Sequence, residues 1–177
     1  VSAALSDGCH AQLQSFALDE RMLAFRDDVA GAVDLSKCPV SDAGFSFLAY
    51  PTGLTSVALP ETLTWADDDF LSDAYMLSEI ALPPALTALG DRALVKSGLV
   101  TIDFSGTQLE TVGEQFMFSS WSLTTVTLPA TLETVGDGFL GYCDKLQRAT
   151  LPAAVIRDNA AEWEQGSLRG KVFAIED

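Results

Sequence analysis

Two pairs of residues are of types that could carry out catalysis. Cys9 and His10 are adjacent, and a cysteine with a histidine base acts as a nucleophile when a third group orients the histidine. Two neighbours in the irregular N-terminal stretch do not provide that geometry. Asp34 and Asp103 share a column of the repeats described below, but the three repeats between them imply a separation of roughly 14 Å. The paired carboxylates of a glycosidase lie about 5 to 10 Å apart, so we interpret the chain as non-enzymatic.

Three consecutive aspartates, Asp67 to Asp69, are the residues that come closest to a metal site. A calcium loop places its ligands at alternating positions, and adjacent aspartates lack that spacing. We therefore predict that they cap a solvated turn, and that the chain holds neither a metal nor a cofactor. The cysteines Cys9, Cys38 and Cys143 also lack metal-type spacing, and their odd number argues against a disulfide framework while leaving room for a single bridge.

Composition excludes several classes of partner. The chain has 177 residues, 48% of them hydrophobic, so it can bury a substantial core as one domain. Its formal net charge of -15 predicts repulsion of nucleic acid and of anionic lipid headgroups. No apolar run approaches the roughly 18 residues that cross a bilayer, and no signal peptide is present. Because the chain begins at Val1, we interpret it as a processed or trimmed piece of a longer product.

One repeated unit organises the rest of the sequence. Its first, fourth and sixth positions are apolar, and the fourth and sixth share one face of a short strand. Stacked strands would form a parallel sheet whose other face is open to solvent. A fixed period in the twenties is typical of a leucine-rich solenoid. The steps are 24, 23, 22, 24 and 23 residues between successive unit starts at Ala30, Leu54, Leu77, Leu99, Leu123 and Leu146.

The second half of each unit predicts a return path and a turn. The two 24-residue units carry Ser36 and Ser105 after the strand, each with one extra residue before the next apolar column. We expect the acid after the turn glycine to accept hydrogen bonds from free N–H groups at a short helical turn. Proline ends the strand in the other units, at Pro60, Pro83, Pro129 and Pro152. Phenylalanine is predicted to fill the far side of the core at Phe47, Phe70, Phe116 and Phe139, and the 22-residue unit has Ala93 there.

The N-terminal residues 1–29 are less regular. Leu13, Phe16 and Leu18 follow the strand pattern, which favours a degenerate first repeat. An amphipathic capping helix through Gln12–Leu23 is the alternative, and either would cover the open end of the core.

The C-terminal end is predicted to be sealed as well. The repeats occupy residues 30–156, and residues 157–177 are assigned to a C-terminal cap. A helix with Trp163 near its end and a final strand from Lys171 would form this cap.

The unit resembles the BspA-like, or Treponema pallidum-type, leucine-rich repeats, whose pattern is LxxIxLPxxLxxIGxxxFxxCxxL. Two departures are the cysteine column, which survives only at Cys143, and Ala30 in place of the opening leucine. The residues that carry the pattern best are Leu123, Val126, Leu128, Pro129, Leu132, Val135, Gly136, Phe139, Cys143 and Leu146.

This resemblance implies a fold and a setting. The fold is an α/β solenoid, right-handed and curved, with about five to six repeats of 22–24 residues and a parallel β-sheet on the concave face. The setting is a cell-surface or secreted protein of a host-associated microbe, in a family linked to adhesion and to binding host matrix proteins. The family supplies no catalytic residues.

Three aromatic residues are candidates for partner binding. Trp65 stands in a column of small and polar residues, which predicts an exposed ring. Tyr75 and Trp121 share a column in the loop before a strand, two units or about 10 Å apart. Exposed aromatics on a rigid scaffold are typical hot spots. The alternative is that these rings fold back over the edge of the solenoid as packing.

The outward face of the strands is the second candidate surface. Its side chains are small, mostly neutral and flat, and Glu79, Asp103 and Arg148 are the charged residues that we include as candidates. The alternative is a solvated sheet without a ligand.

These observations predict a non-enzymatic recognition domain for a protein or glycan partner. The alternative is a structural spacer that holds another domain away from an envelope. The sequence leaves the oligomeric state open.

Overall fold

The computed structural model describes residues 16–19, 22–25, 30–163 and 168–175. These residues form a parallel β-solenoid of about six turns. In every turn except the last, a first strand is followed by a return segment with a second, shorter strand. Among the described residues, helix is limited to α1 (Ala153–Trp163), so the expected α/β solenoid is a β-solenoid with little helix. Its handedness and curvature stay predictions.

The first strands of the turns stack in the register that the apolar columns predict. Val57 pairs with Ile80, and Val126 pairs with Ile102, so the fourth positions of successive units are neighbours. The strands form a three-stranded sheet, β3-β5-β7, and a four-stranded sheet, β9-β11-β13-β14. Their bounds are Ala30–Asp34 (β3), Gly53–Ala58 (β5), Glu79–Ala81 (β7), Thr101–Asp103 (β9), Thr125–Thr127 (β11), Arg148–Leu151 (β13) and Val172–Ala174 (β14).

A second parallel sheet lines the return path. Each of its strands has two residues, one of which points into the core, as Ala66 and Leu89 do. The order is β12-β10-β8-β6-β4. The bounds are Asp42–Ala43 (β4), Trp65–Ala66 (β6), Ala88–Leu89 (β8), Thr111–Val112 (β10) and Thr134–Val135 (β12).

The turn after this second sheet is not helical, contrary to the prediction. Alternate residues have positive φ, and most of their N–H groups bond to neighbouring turns: Arg92 donates to the Glu114 carbonyl, and Leu94 donates to the Phe70 carbonyl. These inter-turn bonds hold side-chain-bearing residues in a conformation that usually favours glycine. The residues are Ser46, Leu48, Tyr50, Asp69, Leu71, Asp73, Arg92, Leu94, Lys96, Gln115, Met117, Ser119, Leu140 and Tyr142.

Aromatic rings run through the core as predicted. Phe47 stacks on Phe70 with ring centroids 6.0 Å apart, and Phe116 stacks on Phe139 at 5.7 Å. Ala93 separates the two pairs in the column. The rings and the leucine columns therefore form one continuous apolar core.

The N-terminal segment forms a strand at Phe16 and Leu18, as their pattern predicts, but this strand is not part of the parallel repeats. β1 (Phe16–Asp19) and β2 (Met22–Phe25) form an antiparallel pair in a sheet of their own. The alternative prediction of a helix through Gln12–Leu23 is wrong for these residues, and β1 is not a strand of the parallel sheet. Leu13 lies outside the described residues.

The C-terminal helix and strand are confirmed. α1 (Ala153–Trp163) begins directly after Pro152, four residues before the predicted cap boundary, and β14 pairs with β13. Trp163 is buried, with its ring 5.6 Å from that of Phe139. In the described part of the chain, no helix is long and apolar enough to cross a membrane.

Candidate functional site

The outward face of the first strands, here called the strand face, has an interruption. β7 is at the edge of one sheet and β9 is at the edge of the other, so the two strands do not pair. Leu59 donates its N–H to Ala81, and Phe104 donates to Thr127, but Leu82 makes no such bond to the described residues of the next turn. The strand face is therefore not the flat surface that the sequence predicts.

A groove of about 450 Å³ lies at this interruption, here called the β7–β9 groove. Two predicted site residues, Glu79 and Asp103, line it together. The other lining residues are three apolar residues, a glycine and five hydroxyl-bearing residues: Ile80, Leu82, Ile102, Gly106, Ser78, Thr101, Thr107, Thr125 and Thr127.

The two carboxylates of the groove have different surroundings. Asp103 Oδ1 accepts a hydrogen bond from the Ser105 N–H at 2.8 Å, which fixes the turn after β9. Asp34 makes the same contact with Ser36 at 2.9 Å, and hydrogen bonds from the Ser36 hydroxyl and then from its N–H lower the pKa of Asp34. The Glu79 side chain is exposed and makes no hydrogen bond or ion pair with any described residue. Glu79 is thus available to a ligand.

Exposed apolar side chains lie beside the groove. Tyr75 is 56% exposed and Trp121 is 54% exposed, so neither ring folds back as packing. Gly98 lies between them in the column, because a Cβ there would be 2.2 Å from the Tyr75 carbonyl oxygen. Met76 and Val100, which the sequence analysis did not single out, are also exposed. We call Tyr75, Met76, Val100 and Trp121 the exposed strip.

The exposed strip is held on one side by polar contacts. The Tyr75 hydroxyl donates to Asp73, and Lys96 Nζ lies 3.0 Å from the same carboxylate. The hydrogen bond to Asp73 raises the pKa of Tyr75 and also that of Lys96. The ring of Tyr75 is therefore oriented before any partner arrives.

The remaining candidate residues do not line the groove, although Arg148 pairs with Thr125, which does. Trp65 is 40% exposed, as its column predicts, but it belongs to the second sheet. Arg148 lies on β13, where its guanidinium carbon is 4.3 Å from the centre of the Phe173 ring. An arginine held over an aromatic ring is already satisfied by a cation–π contact.

The acidic turn residues bind backbone and a neighbouring arginine. Asp68 Oδ1 accepts the Asp91 N–H at 2.9 Å, and Asp91 Oδ1 accepts the Glu114 N–H at 2.8 Å. These acids accept backbone N–H groups as predicted, but the N–H groups belong to the next turn and not to a helical turn of their own. Asp69 is buried and accepts from Arg92 through both carboxylate oxygens, at 2.7 and 2.8 Å. Among the described residues, no three His, Cys, Asp or Glu side chains converge as metal ligands would.

The cysteines do not form a nucleophilic site in the described residues. Cys38 is disulfide-bonded. The cysteine count had left a single disulfide possible. Cys143 is a free thiol, and burial raises its pKa to about 11, so it is protonated at neutral pH. Cys9 and His10 lie outside the described residues. A protonated buried thiol is a poor nucleophile.

Comparisons with known proteins agree with this architecture. Residues 44–164 match the family described as BspA type leucine rich repeat region, in six copies. No curated protein matches the chain. A leucine-rich repeat protein from Bacteroides ovatus has a TM-score of 0.64 at 16% identity, over 88% of this chain and 43% of that chain.

A second solved structure is similar to the same extent. It is a leucine rich cell surface protein from Faecalibacterium prausnitzii, with a TM-score of 0.64 at 22% identity, over 88% of this chain and 44% of that chain. This chain therefore spans less than half the length of either protein, and the likeness concerns the fold.

Proposed function

Because the chain belongs to the BspA-type leucine-rich repeat family, we propose that it is a non-enzymatic recognition domain for a protein or glycan partner. Repeat scaffolds of this kind present a rigid surface whose side chains supply specificity. The exposed strip carries the proposal. Aromatic residues dominate the energy of many interfaces, and four exposed apolar side chains around one loop column exceed what a solvated edge needs.

The strip is also suited to binding by its rigidity. Tyr75 is oriented by Asp73, and the backbone beneath the strip is tied to neighbouring turns, as in the bond from Gly98 N–H to the Ala74 carbonyl. A side chain that is already ordered loses less entropy when a partner binds. Glycine at position 98 places no side chain in the column between the two rings.

We place this recognition outside the cell, on the cell surface or in secreted form. The disulfide at Cys38 supports this setting, since disulfides persist in oxidising compartments. One of the similar structures is described as a cell surface protein. Host matrix proteins are therefore the first class of partner to test, with adhesion as the role.

The test is a binding screen of the purified domain against extracellular-matrix proteins and glycans, at low and physiological salt. We expect saturable binding that falls at least about tenfold in the double variant Tyr75→Ala with Trp121→Ala. Tyr75→Phe keeps the ring but removes its hydrogen bond to Asp73, so it should weaken binding less than the double variant does. Phe45→Ala removes a comparably exposed ring outside the strip and serves as the matched control.

Two outcomes would count against the proposal. Absence of saturable binding to any probe would favour the spacer function instead. Full affinity in the folded double variant would remove the exposed strip as the site, even if the domain binds a partner.

A further inference from the structure

The β7–β9 groove has its origin in the lengths of two repeats. The unit from Leu77 has 22 residues, one fewer than the unit before it. Its residues align with those of the preceding turn as far as Gly98, which lies against Tyr75. The deletion is therefore just before Leu99. The next unit has 24 residues, with the extra residue in the turn after Phe104. The loop before β9 is therefore one residue shorter, and the loop after it one residue longer, than in a 23-residue unit. We infer that the resulting displacement of β9 separates it from β7.

The floor of the groove is apolar. Ile80 and Leu82 are only half-buried, although they belong to the core columns. Their counterparts in neighbouring turns are fully buried, as Val57 and Leu59 show. The separation of the strands thus uncovers apolar surface that the regular turns cover.

The walls of the groove are acidic and hydroxyl-bearing. Glu79 projects from β7 and Asp103 from β9, and no lysine, arginine or histidine is among the lining residues. The Thr101 and Thr125 hydroxyls are further hydrogen-bonding groups on the same walls. The whole chain carries a net charge of -15, so no general excess of positive charge offsets these carboxylates.

We propose that the β7–β9 groove binds a lysine or arginine side chain of a partner polypeptide. The aliphatic stem of such a residue packs on Ile80 and Leu82, and its cationic end pairs with Glu79 and Asp103. Long basic side chains are suited to this, since their methylene groups bury well while the charged end stays near water. Apolar residues beside the basic one contact the exposed strip. This inference rests on the proposed function and selects a polypeptide over a glycan.

A metal ion is a poorer match for the groove. Calcium takes six to eight oxygen ligands, and magnesium demands a near-octahedral set. The groove supplies two carboxylates on separate strands, and Asp103 already binds the Ser105 N–H. An uncovered apolar floor also has no role in holding a hydrated divalent cation.

The experiment is a titration of the isotope-labelled domain by NMR with a capped peptide, acetyl-Gly-Leu-Lys-Leu-Gly-amide. The reference peptide has norleucine in place of lysine, which keeps the stem and removes the charge. We expect saturable shifts of the Glu79, Thr101, Asp103 and Thr125 amides with the lysine peptide only. The Glu79→Gln with Asp103→Asn variant should bind about fivefold to tenfold more weakly.

Matched variants separate the groove from general charge attraction. Glu133→Gln with Asp137→Asn removes two exposed carboxylates outside the groove and should leave the affinity unchanged. Thr101→Phe fills the groove without changing the charge and should abolish the shifts. Asparagine at position 103 keeps an oxygen that can accept the Ser105 N–H, so the groove variant should fold.

Three results would overturn the inference. They are equal binding of the norleucine peptide, an equal loss in the control pair, and no saturable shift up to about 10 mM peptide. The proposed function fails separately, because its screen measures loss in the Tyr75 and Trp121 variant. Binding that needs the exposed strip but not Glu79 and Asp103 would keep the recognition function and reject the groove.

Discussion

At the scale of single residues, the position of Cys143 shows how one column accepts two residue types. Cys143 Sγ lies 3.2 Å from the Met117 carbonyl oxygen. One turn earlier, Ser120 Oγ lies 3.2 Å from the Leu94 carbonyl oxygen, so the serine makes the same bond that the cysteine makes. Serine at position 120 therefore keeps the hydrogen bond of the cysteine column, so the solenoid tolerates this departure from the repeat pattern.

The buried thiol of Cys143 predicts a pH dependence of stability. Burial raises its pKa from 9.0 to about 11. A raised pKa in the folded state means that this group's contribution is fully present below about pH 9 and is lost as the pH rises through 11. In urea unfolding from pH 7 to 10.5, wild type should lose more stability above pH 9 than Cys143→Ser. The native thiol should also react slowly with a thiol reagent at pH 8.

The serine variant is a matched control because Ser120 already makes the equivalent bond. Parallel loss of stability in both proteins above pH 9 would show that Cys143 is not ionising in a buried site. Rapid labelling of the folded protein at pH 8 would lead to the same conclusion.

At the scale of the turn, glycine is required where successive turns approach most closely. A Cβ at Gly113 would be 2.4 Å from Asp91 Oδ1 and 2.6 Å from the Asp91 nitrogen. Gly90 and Gly136 have equally close neighbours in the preceding turn. The glycines thus allow acidic side chains to bond to the backbone of the next turn, because Asp91 must lie near that backbone to accept the Glu114 N–H.

Gly113→Ala should therefore destabilise the protein by about 1 to 3 kcal/mol, the usual effect of overpacking. Gly106→Ala is the control, because a Cβ at that position meets nothing within 4 Å. The control should change the free energy of unfolding by no more than about 0.5 kcal/mol. Urea unfolding of the three proteins measures both values. Equal effects at the two glycines would mean that the turns are not stacked as closely as described.

The strands could be predicted from the sequence because their positions repeat in type. Val57 and Ile80 fall in one apolar column, and their pairing follows directly from the period. The separation of β7 from β9 could not be predicted in the same way. The steps of 22 and then 24 residues show that the loops differ, but only the backbone shows that Ile80 and Leu82 are uncovered as a result.

The turn conformation was also beyond sequence reasoning. Positive φ at residues such as Leu94 and Lys96 goes against their intrinsic preference. Hydrogen bonds to the turns on both sides stabilise it, and such bonds exist only once the stack has formed. The exposure of Trp65 could be predicted because it replaced small and polar residues in its column. For Tyr75 and Trp121 the column left both exposure and packing open.

At the scale of the whole molecule, the aromatic column ends in a cap. The Phe139 ring stacks between Phe116 on one side and Trp163 on the other, at 5.7 and 5.6 Å. Trp163 comes from α1, so the helix closes the open end of the core with the same kind of ring contact that joins the turns. Solenoids need such terminal covers because each turn contacts only its neighbours.

Trp163→Ala should accordingly act on one end of the molecule. We expect a loss of about 3 to 5 kcal/mol at the cap, as for other buried aromatic truncations. Trp121→Ala removes the same side chain from an exposed position and should cost about 0.5 kcal/mol or less. Hydrogen exchange can locate the effect, since nearest-neighbour stability predicts that β13 and β14 lose protection first while β5 keeps it. A uniform loss of protection would mean that the solenoid opens as one cooperative unit, and that the cap stabilises all turns equally.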